Sequence, residues 1–246
     1  STRVRSSAAS DVYKRQPYDI VKEFALLLYQ TVLFDLDGTL IESAPGIFAC
    51  ARAVMQEMGL PPMTDAQLRP MVGPPLAVCF SDVIGVPKDR VQEAVDRYHL
   101  LAKTVGLDAI HPYPGIPALL AGLKAAGACV CVVTSKVTPT AQAHLERYGL
   151  APFIDRLWGG IPGGSAEKTF LLQTALDALH AEKTSIVMVG DRHYDLRAAQ
   201  AVGIPSIGVL YGYGSAEEIA SCAPTHTAAT VETLGRLLLS GSATLQ

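Results

Sequence analysis

The chain has 246 residues, 49% of them hydrophobic and 17% charged, with a formal net charge of -3 and a pI near 6.1. That length suffices for one large domain or a domain carrying a smaller one, and the charge balance supplies no basic field of the kind that neutralises nucleic-acid phosphates. No apolar run approaches the ~18 residues needed to cross a bilayer, so the expected partners are small molecules or proteins, not a nucleic acid polymer or a membrane.

Residues 1–17, which include SSAASDVYKRQ, are rich in Ser and charge and lack periodicity; they read as a translated adapter remnant outside the fold. Arg3, Arg5, Lys14 and Arg15 precede the apolar run FALLLY at 24–29, which is too short for a secretory signal core and has no clear cleavage site. Residues 18–30 are expected to form a helical lead-in, so that 1–30 is an N-terminal extension. The run VLFDLDG at 32–38 then reads as a strand that stops on two carboxylates, Asp35 and Asp37, with Gly38 and Thr39 behind them. From 43 to 113 the pattern changes to helical periodicity without convincing strands, in GIFACARAVMQEMG, MTDAQLRPMVG, PLAVCFSDVIG and KDRVQEAVDRYHLLAKTVG. Pro45 and Gly46 mark the way out to this all-helical insertion, and Pro112, Pro114 and Pro117 the way back.

Beyond it, strand and helix alternate. ACVCVVTSK, SIVMVGDR and IPSIGVLYGYG read as strands, with a short fifth strand around IDRLWGG, and GIPALLAGLKAAG, TPTAQAHLERYGL, EKTFLLQTALDALHA and YDLRAAQAVG as helices. This alternation predicts an α/β fold, a doubly wound parallel sheet with a Rossmann-like core at 31–42 and 114–240, interrupted after its first strand by the helical unit at 43–113. The five cysteines are odd in number and include no C-x-x-C pair, so no disulfide framework is expected and a reduced, cytoplasmic setting is. Cys129 and Cys131 read as small buried strand residues.

In such a sheet, ligands collect outside the carboxyl ends of the strands. Asp35, Asp37, Thr134, Ser135 and Asp191 stand there, with Asp195 a helical turn further on and Lys168 after a Gly-rich loop. Two carboxylates 4 Å apart repel by about 4 kcal/mol at an effective dielectric of 20, so the cluster needs a cation, and a donor set made only of oxygens argues for Mg2+. Lys168 and the Thr134 hydroxyl are then placed to cradle phosphoryl oxygens, and amides near Gly38 to add donors. Lys136 is the rival of Lys168, read as a neighbour of the site. The bland alternatives are turns, caps and solvated ends: Asp35 and Asp37 before a glycine, Asp195 in a helix's first turn, Arg69 on the surface. His193 is read as incidental, and Glu167 stands where a nucleotide-triphosphatase loop requires glycine. YGYGS at 211–215 is expected to be a flexible turn at the sheet's edge.

Taken in order, DLDGT at 35–39, TS at 134 and 135, Lys168, and GDRHYD at 190–195 resemble the four motifs of the haloacid dehalogenase-like hydrolase superfamily, over roughly residues 31–235. Its dehalogenases lack the second aspartate, so Asp37 points to phosphate chemistry. The resemblance implies that Asp35 attacks phosphorus, that Asp37, carrying a proton, protonates the leaving oxygen and then activates water, and that Thr134 and Lys168 assist. It further implies metal coordination by Asp35, the Asp37 carbonyl and Asp191, with Asp195 orienting or binding the ion, and a helical cap at 43–113. Gly38, Thr39, Ser135 and Arg69 are the candidate substrate contacts, Arg69 beside a rigid Gly73-Pro74-Pro75 turn that faces the catalytic mouth. GVLYGYGS and VGPPL are similar to the phosphoglycolate phosphatase group, whereas TSK, EKT and GDRHYD are similar to a branch described as 5'-nucleotidases. The expected partner is a small phosphorylated metabolite and the expected state a monomer or homodimer. A phosphomutase of the β-phosphoglucomutase type and a non-catalytic phosphate-binding module remain open alternatives.

Overall fold

A computed structural model describes residues 27–161 and 167–239 of the chain. Its strands are β1 (Thr31–Phe34), β2 (Ile41–Glu42), β3 (His111–Pro112), β4 (Cys129–Val137), β5 (Arg156–Gly160), β6 (Ile186–Gly190), β7 (Ser206–Val209) and β8 (His226–Ala228). Its α-helices are α1 (Ala44–Glu57), α2 (Asp65–Leu68), α3 (Leu76–Val78), α4 (Val91–Leu101), α5 (Ile116–Ala125), α6 (Thr138–Arg147), α7 (Lys168–Leu179), α8 (His193–Val202), α9 (Ala216–Ser221) and α10 (Val231–Leu239). Six strands pair in the order β5-β4-β1-β6-β7-β8, every pairing parallel. The strand order reverses at β1, which therefore sits at the crevice where ligands enter such sheets.

Side chains alternate between the faces of the sheet, and both faces are apolar. Val32, Phe34, Val130, Val132, Val187 and Val189 pack with α5, α6 and α10 on one side. Leu33, Cys131, Val133, Ile186 and Met188 pack with α7 and α8 on the other. The expected doubly wound α/β core follows directly from this two-sided burial. Cys131 is fully buried and Cys129 half-buried, so both are strand filler as expected.

The helices between β2 and β3 pack a separate pair of small cores. Ala51, Met55, Leu68, Met71 and Cys79 form one; Val54, Phe80, Val86 and Ala94 form the other. Pro45 stands in the first turn of α1, where its missing N–H costs nothing. Thr64 and Gln67 cap α2 reciprocally, and α3 runs into a π-helical turn at Cys79–Val83. Where the chain leaves and re-enters the sheet, β2 and β3 pair antiparallel, Ile41 with Pro112 and Glu42 with His111.

Three elements differ from expectation. β8 adds a sixth strand, and its three residues, one of them histidine, carry no apolar run that would announce it. The β2–β3 ladder is too short to leave a period. Residues 27–30 are not helical; Gln30 carbonyl accepts the Cys129 N–H at 2.9 Å and so extends the sheet. The extension at 1–17 and the lead-in up to residue 26 lie outside the described residues. Among the described residues, no helix is long and apolar enough to cross a membrane.

Because the helical insertion has its own cores, damage there should stay local. Phe80 is fully buried and meets Tyr98 edge to face with ring centroids 6.0 Å apart. Phe80→Ala is expected to cost about 3–5 kcal/mol, read by hydrogen exchange as lost protection in 44–101 with β1, β4 and β6 still protected; equal loss in all of them would contradict a separate core.

Candidate active site

Asp35 continues the register of β1, its N–H bonded to the Val189 carbonyl at 2.9 Å. The chain then turns tightly, the Gly38 N–H reaching the Ile41 carbonyl at 2.8 Å with Gly38 at φ +86°. A side chain at Gly38 would collide with Asp191, whose Oδ2 lies 2.2 Å from where a Cβ would stand, so glycine is required twice over. β4 carries a register shift between Thr134 and Val137, a bulge that opens the strand end and sends Lys136 across to the β1 loop. Lys168 is the first residue of α7, and Asp195 lies in the first turn of α8, its Oδ2 accepting the Arg192 N–H at 3.2 Å.

These elements bring one cluster together. Lys168 Nζ donates to Asp35 Oδ1 at 2.7 Å and to the Val133 carbonyl at 3.0 Å, and lies 2.8 Å from Asp195 Oδ1. Asp191 accepts from the Thr39 hydroxyl at 3.2 Å and from the Tyr213 N–H at 2.8 Å. Carboxylate oxygens of Asp35, Asp191 and Asp195 all lie within 4.8 Å of one another. Burial and the neighbouring Asp195 raise the Asp35 carboxyl to about 7 against the pull of Lys168, and burial with Asp195 and Asp35 raises Asp191 strongly. Asp195 Oδ1 is buried and has the Lys168 ammonium as its partner at 2.8 Å. Three oxygen-only ligands converging with a single ammonium between them fit a hard divalent cation.

Asp37 is placed differently. Its Oδ1 accepts from Lys136 Nζ at 2.7 Å, and it stands outside the carboxylate trio. Burial pushes the Asp37 carboxyl up, but the Lys136 ammonium outweighs it and holds the group below the usual carboxylate range. From the chain's own groups alone, burial raises the Asp35 carboxyl, whose lysine is shared with Asp195, while Lys136 lowers that of Asp37. Behind Lys136, His144 Nδ1 lies 3.3 Å from its ammonium, and burial with that charge lowers the imidazole to about 4.

A cavity of about 740 Å³ opens over this cluster. Its floor includes Asp35, Asp37, Thr134, Lys136, Lys168 and Asp195, and its roof comes from the insertion, with Ile47, Met71, Pro74, Leu76, Val95 and Tyr98. Among the candidate substrate contacts, Ser135 lines the cavity. Gly38 and Thr39 do not, since the turn folds them under Asp191 and the Thr39 hydroxyl is spent there. Arg69 is exposed and does not line the cavity, a correction with a simple cause: Leu68 and Met71 bury themselves on one side of that turn and send Arg69 out.

The loop after β7 is also corrected. Tyr211–Gly214 lies against the cluster, not free at the sheet's edge: a Cβ at Gly212 would stand 2.3 Å from the Asp191 Cβ and 2.4 Å from the Gly38 carbonyl. Sequence reasoning missed Tyr213 and Arg192 as well. Arg192 donates to the Val72 carbonyl of the insertion at 2.7 Å and to Glu218 at 2.9 Å, and Glu218 also holds His193 at 2.7 Å, leaving that histidine structural. The alternation of Tyr and Gly in YGYG was the available signal, since close backbone approach needs the glycines.

A family model described as haloacid dehalogenase-like hydrolase matches residues 32–209. A 5'-nucleotidase of Pseudomonas aeruginosa is 33% identical over 215 residues, which span 87% of this chain and 97% of that protein. A phosphoglycolate phosphatase of Xanthomonas campestris is 36% identical across 75% of this chain and 84% of its own, and a tyrosine-protein kinase, PtkA, of Mycobacterium tuberculosis is 35% identical across 85% and 72%. A crystal structure described as a predicted phosphatase from Clostridium acetobutylicum superposes with a TM-score of 0.79 at 34% identity, covering 85% of this chain and 97% of that one.

His144 gives the site an acid-side weakness. Its folded value near 4 lies below the ordinary imidazole value of 6.5, so the unfolded chain binds the proton first as pH falls. The stabilisation from keeping it neutral is complete above about pH 6.5 and is lost towards 4, amounting to about 2 kcal/mol by pH 5. Urea unfolding at pH 7.5 and 5 should show His144→Phe losing less stability than wild type by about that amount; equal losses would mean the imidazole is not held neutral.

Proposed function

The chain belongs to the haloacid dehalogenase-like hydrolase family, and from that premise we propose that it is a Mg2+-dependent phosphate monoester hydrolase working through an aspartyl phosphate. The observation that carries this reading is the convergence of Asp35, Asp191 and Asp195, with Lys168 between Asp35 and Asp195 and Asp37 beside them, at a cavity whose floor includes Asp35, Asp37, Lys168 and Asp195.

Asp35 is the nucleophile. Its oxygen forms the bond to phosphorus as the ester P–O bond breaks, and the leaving oxygen takes a proton from Asp37. Water then attacks the phosphoryl group with Asp37 receiving its proton, which releases phosphate and restores Asp35. For attack Asp35 must be ionised, yet burial and its neighbours hold it near 7. Asp35, Asp191 and Asp195 would hold Mg2+, which when bound would supply the missing positive charge and offset that of the transferring group. Lys168 holds the attacking carboxylate in place, and the buried Thr134 faces the phosphoryl oxygens from the end of β4.

The substrate reading favours a nucleoside 5'-monophosphate over phosphoglycolate. A cavity of about 740 Å³ lies within the range that encloses ligands of drug size, and phosphoglycolate would fill little of it. The roof offers carbon walls and the Tyr98 ring, suited to a base and sugar, while His99, Lys103, Arg147 and Arg192 add polar and cationic groups to the same lining. The similarity to a protein named 5'-nucleotidase across nearly its whole length agrees with this choice. The helical insertion serves as a cap that keeps bulk water from the first step.

Phosphate release should be measured on nucleoside 5'-monophosphates, phosphoglycolate and sugar phosphates, with Mg2+ or a chelator. Wild type is expected to prefer a nucleotide and to stop when chelated, and Asp35→Asn to lose at least about a thousandfold in kcat. Transfer of the phosphoryl group to an added sugar phosphate or peptide tyrosine, in place of release, would convert the reading to a transferase. No release from any ester rejects it.

A further inference from the structure

The loop Tyr211–Gly214 joins three things that the sequence keeps far apart. The Tyr213 N–H donates to Asp191 Oδ2 at 2.8 Å. The hydroxyl of the same residue accepts the N–H groups of Ser43 and Ala44, each at 2.8 Å, where the chain leaves the sheet to begin α1. Ser43 makes no side-chain cap on that helix, so the tyrosine oxygen takes the acceptor role that a helix start requires. The same hydroxyl meets that of Tyr113, on the strand of chain that returns from the insertion. Tyr211 supports the other side, its hydroxyl on the Thr39 carbonyl at 3.0 Å and its ring against Tyr113 with centroids 5.0 Å apart.

This arrangement leaves little slack. Gly212 and Gly214 sit so close to Asp191 that a Cβ on either would stand 2.3 Å from its Cβ or 2.1 Å from its carbonyl oxygen. The Tyr113 N–H is bonded to the Leu40 carbonyl at 3.1 Å, so both connections of the cap converge on one loop. The loop cannot shift against Asp191 without also moving the hydroxyl that seats α1. An element with contacts of this kind at both ends is what physical coupling between two sites needs.

We propose that Tyr213 is a positioning residue that ties the orientation of the cap to Asp191, so that a divalent cation held by the carboxylates also fixes the cap connection at Ser43 and Ala44. The inference rests on the reading of the carboxylate cluster as a metal site and of the insertion as a cap. Tyr213 touches neither substrate nor phosphorus; it acts through its amide on one side and its hydroxyl on the other.

Tyr213→Phe removes the hydroxyl and keeps the ring and the amide. Hydrogen exchange of the full chain, followed in peptides spanning 40–50 and 186–195, separates the two ends. In wild type, saturating Mg2+ is expected to slow exchange in both peptides, by about tenfold at the Ser43 and Ala44 amides. In Tyr213→Phe, Mg2+ should still protect 186–195, whereas 40–50 exchanges fast with or without the metal. Steady-state kinetics on a nucleoside 5'-monophosphate should then place the loss in KM and not in kcat, because the cap wall is displaced while the nucleophile is not. Equal Mg2+ protection of 40–50 in wild type and variant, or none in wild type, overturns the proposal. Coupled protection in a wild type that hydrolyses no ester would sustain the role of Tyr213 and reject the phosphatase reading alone.

Discussion

Charge compensation at the carboxyl ends of the central strands governs this structure. Four aspartates, Asp35, Asp37, Asp191 and Asp195, stand against two ammonium groups, Lys136 and Lys168. Lys136 answers Asp37, and Lys168 is divided between Asp35 and Asp195, so Asp191 has no ammonium of its own: the Thr39 hydroxyl and the Tyr213 amide donate to it, and the Arg192 charge also acts on it. Two negative charges are left over when all four are ionised, which a divalent cation matches. Without one, the protein's recourse is to retain protons, as the raised Asp35 and Asp191 carboxyls show.

The fold is arranged so that the cluster stays rigid while its covering remains a separate body. β1, β4 and β6 are buried on both faces, and each delivers its site residue at the point where backbone pairing ends. The cap has its own cores and meets the sheet end through polar contacts worth about 1 kcal/mol each, among them the β2–β3 ladder, Arg192 on the Val72 carbonyl, Arg147 on Asp108, Tyr148 on the Leu107 carbonyl and Tyr213. Apolar contacts add to these, Ile110 in the sheet's core and Tyr213 against the insertion's. Such a boundary holds an orientation without merging the two packing units, which suits a cavity that must admit and release its contents.

What was legible in the sequence follows from how locally each feature is encoded. Buried parallel strands are apolar runs, so β1, β4, β6 and β7 announced themselves, whereas β8 is short and half polar and did not. Asp35, Asp37, Lys168, Asp191 and Asp195 could be marked as candidates because their spacing matches a family pattern and because strand ends converge. Lys136 was read as a neighbour since nothing in TSK reveals the bulge that carries it to Asp37. Arg69 was misplaced because its direction depends on which side of a short turn Leu68 and Met71 bury. YGYG signals a close backbone approach, but the role of the Tyr213 hydroxyl was out of reach: it serves backbone amides 170 and 169 residues away, and side chain to backbone contacts leave no trace in composition or period.

The Lys136–Asp37 pair places a constraint on any phosphoryl transfer at this site. An aspartate that donates a proton to a leaving oxygen cannot at the same time be held ionised by an ammonium 2.7 Å away. The bond has to open before the acid step, and only a group that competes for Lys136 can open it. A phosphate dianion entering above Thr134 and Ser135 is such a group, because both residues and Lys136 line the same wall of the cavity. Substrate arrival would then do two things at once: it draws Lys136 to the phosphoryl oxygens, and it leaves buried Asp37 with the desolvation that favours its protonated form. On the proposed hydrolase reading, the resting arrangement holds Asp37 against Lys136, and an incoming phosphate that drew Lys136 away would favour the protonated form of Asp37.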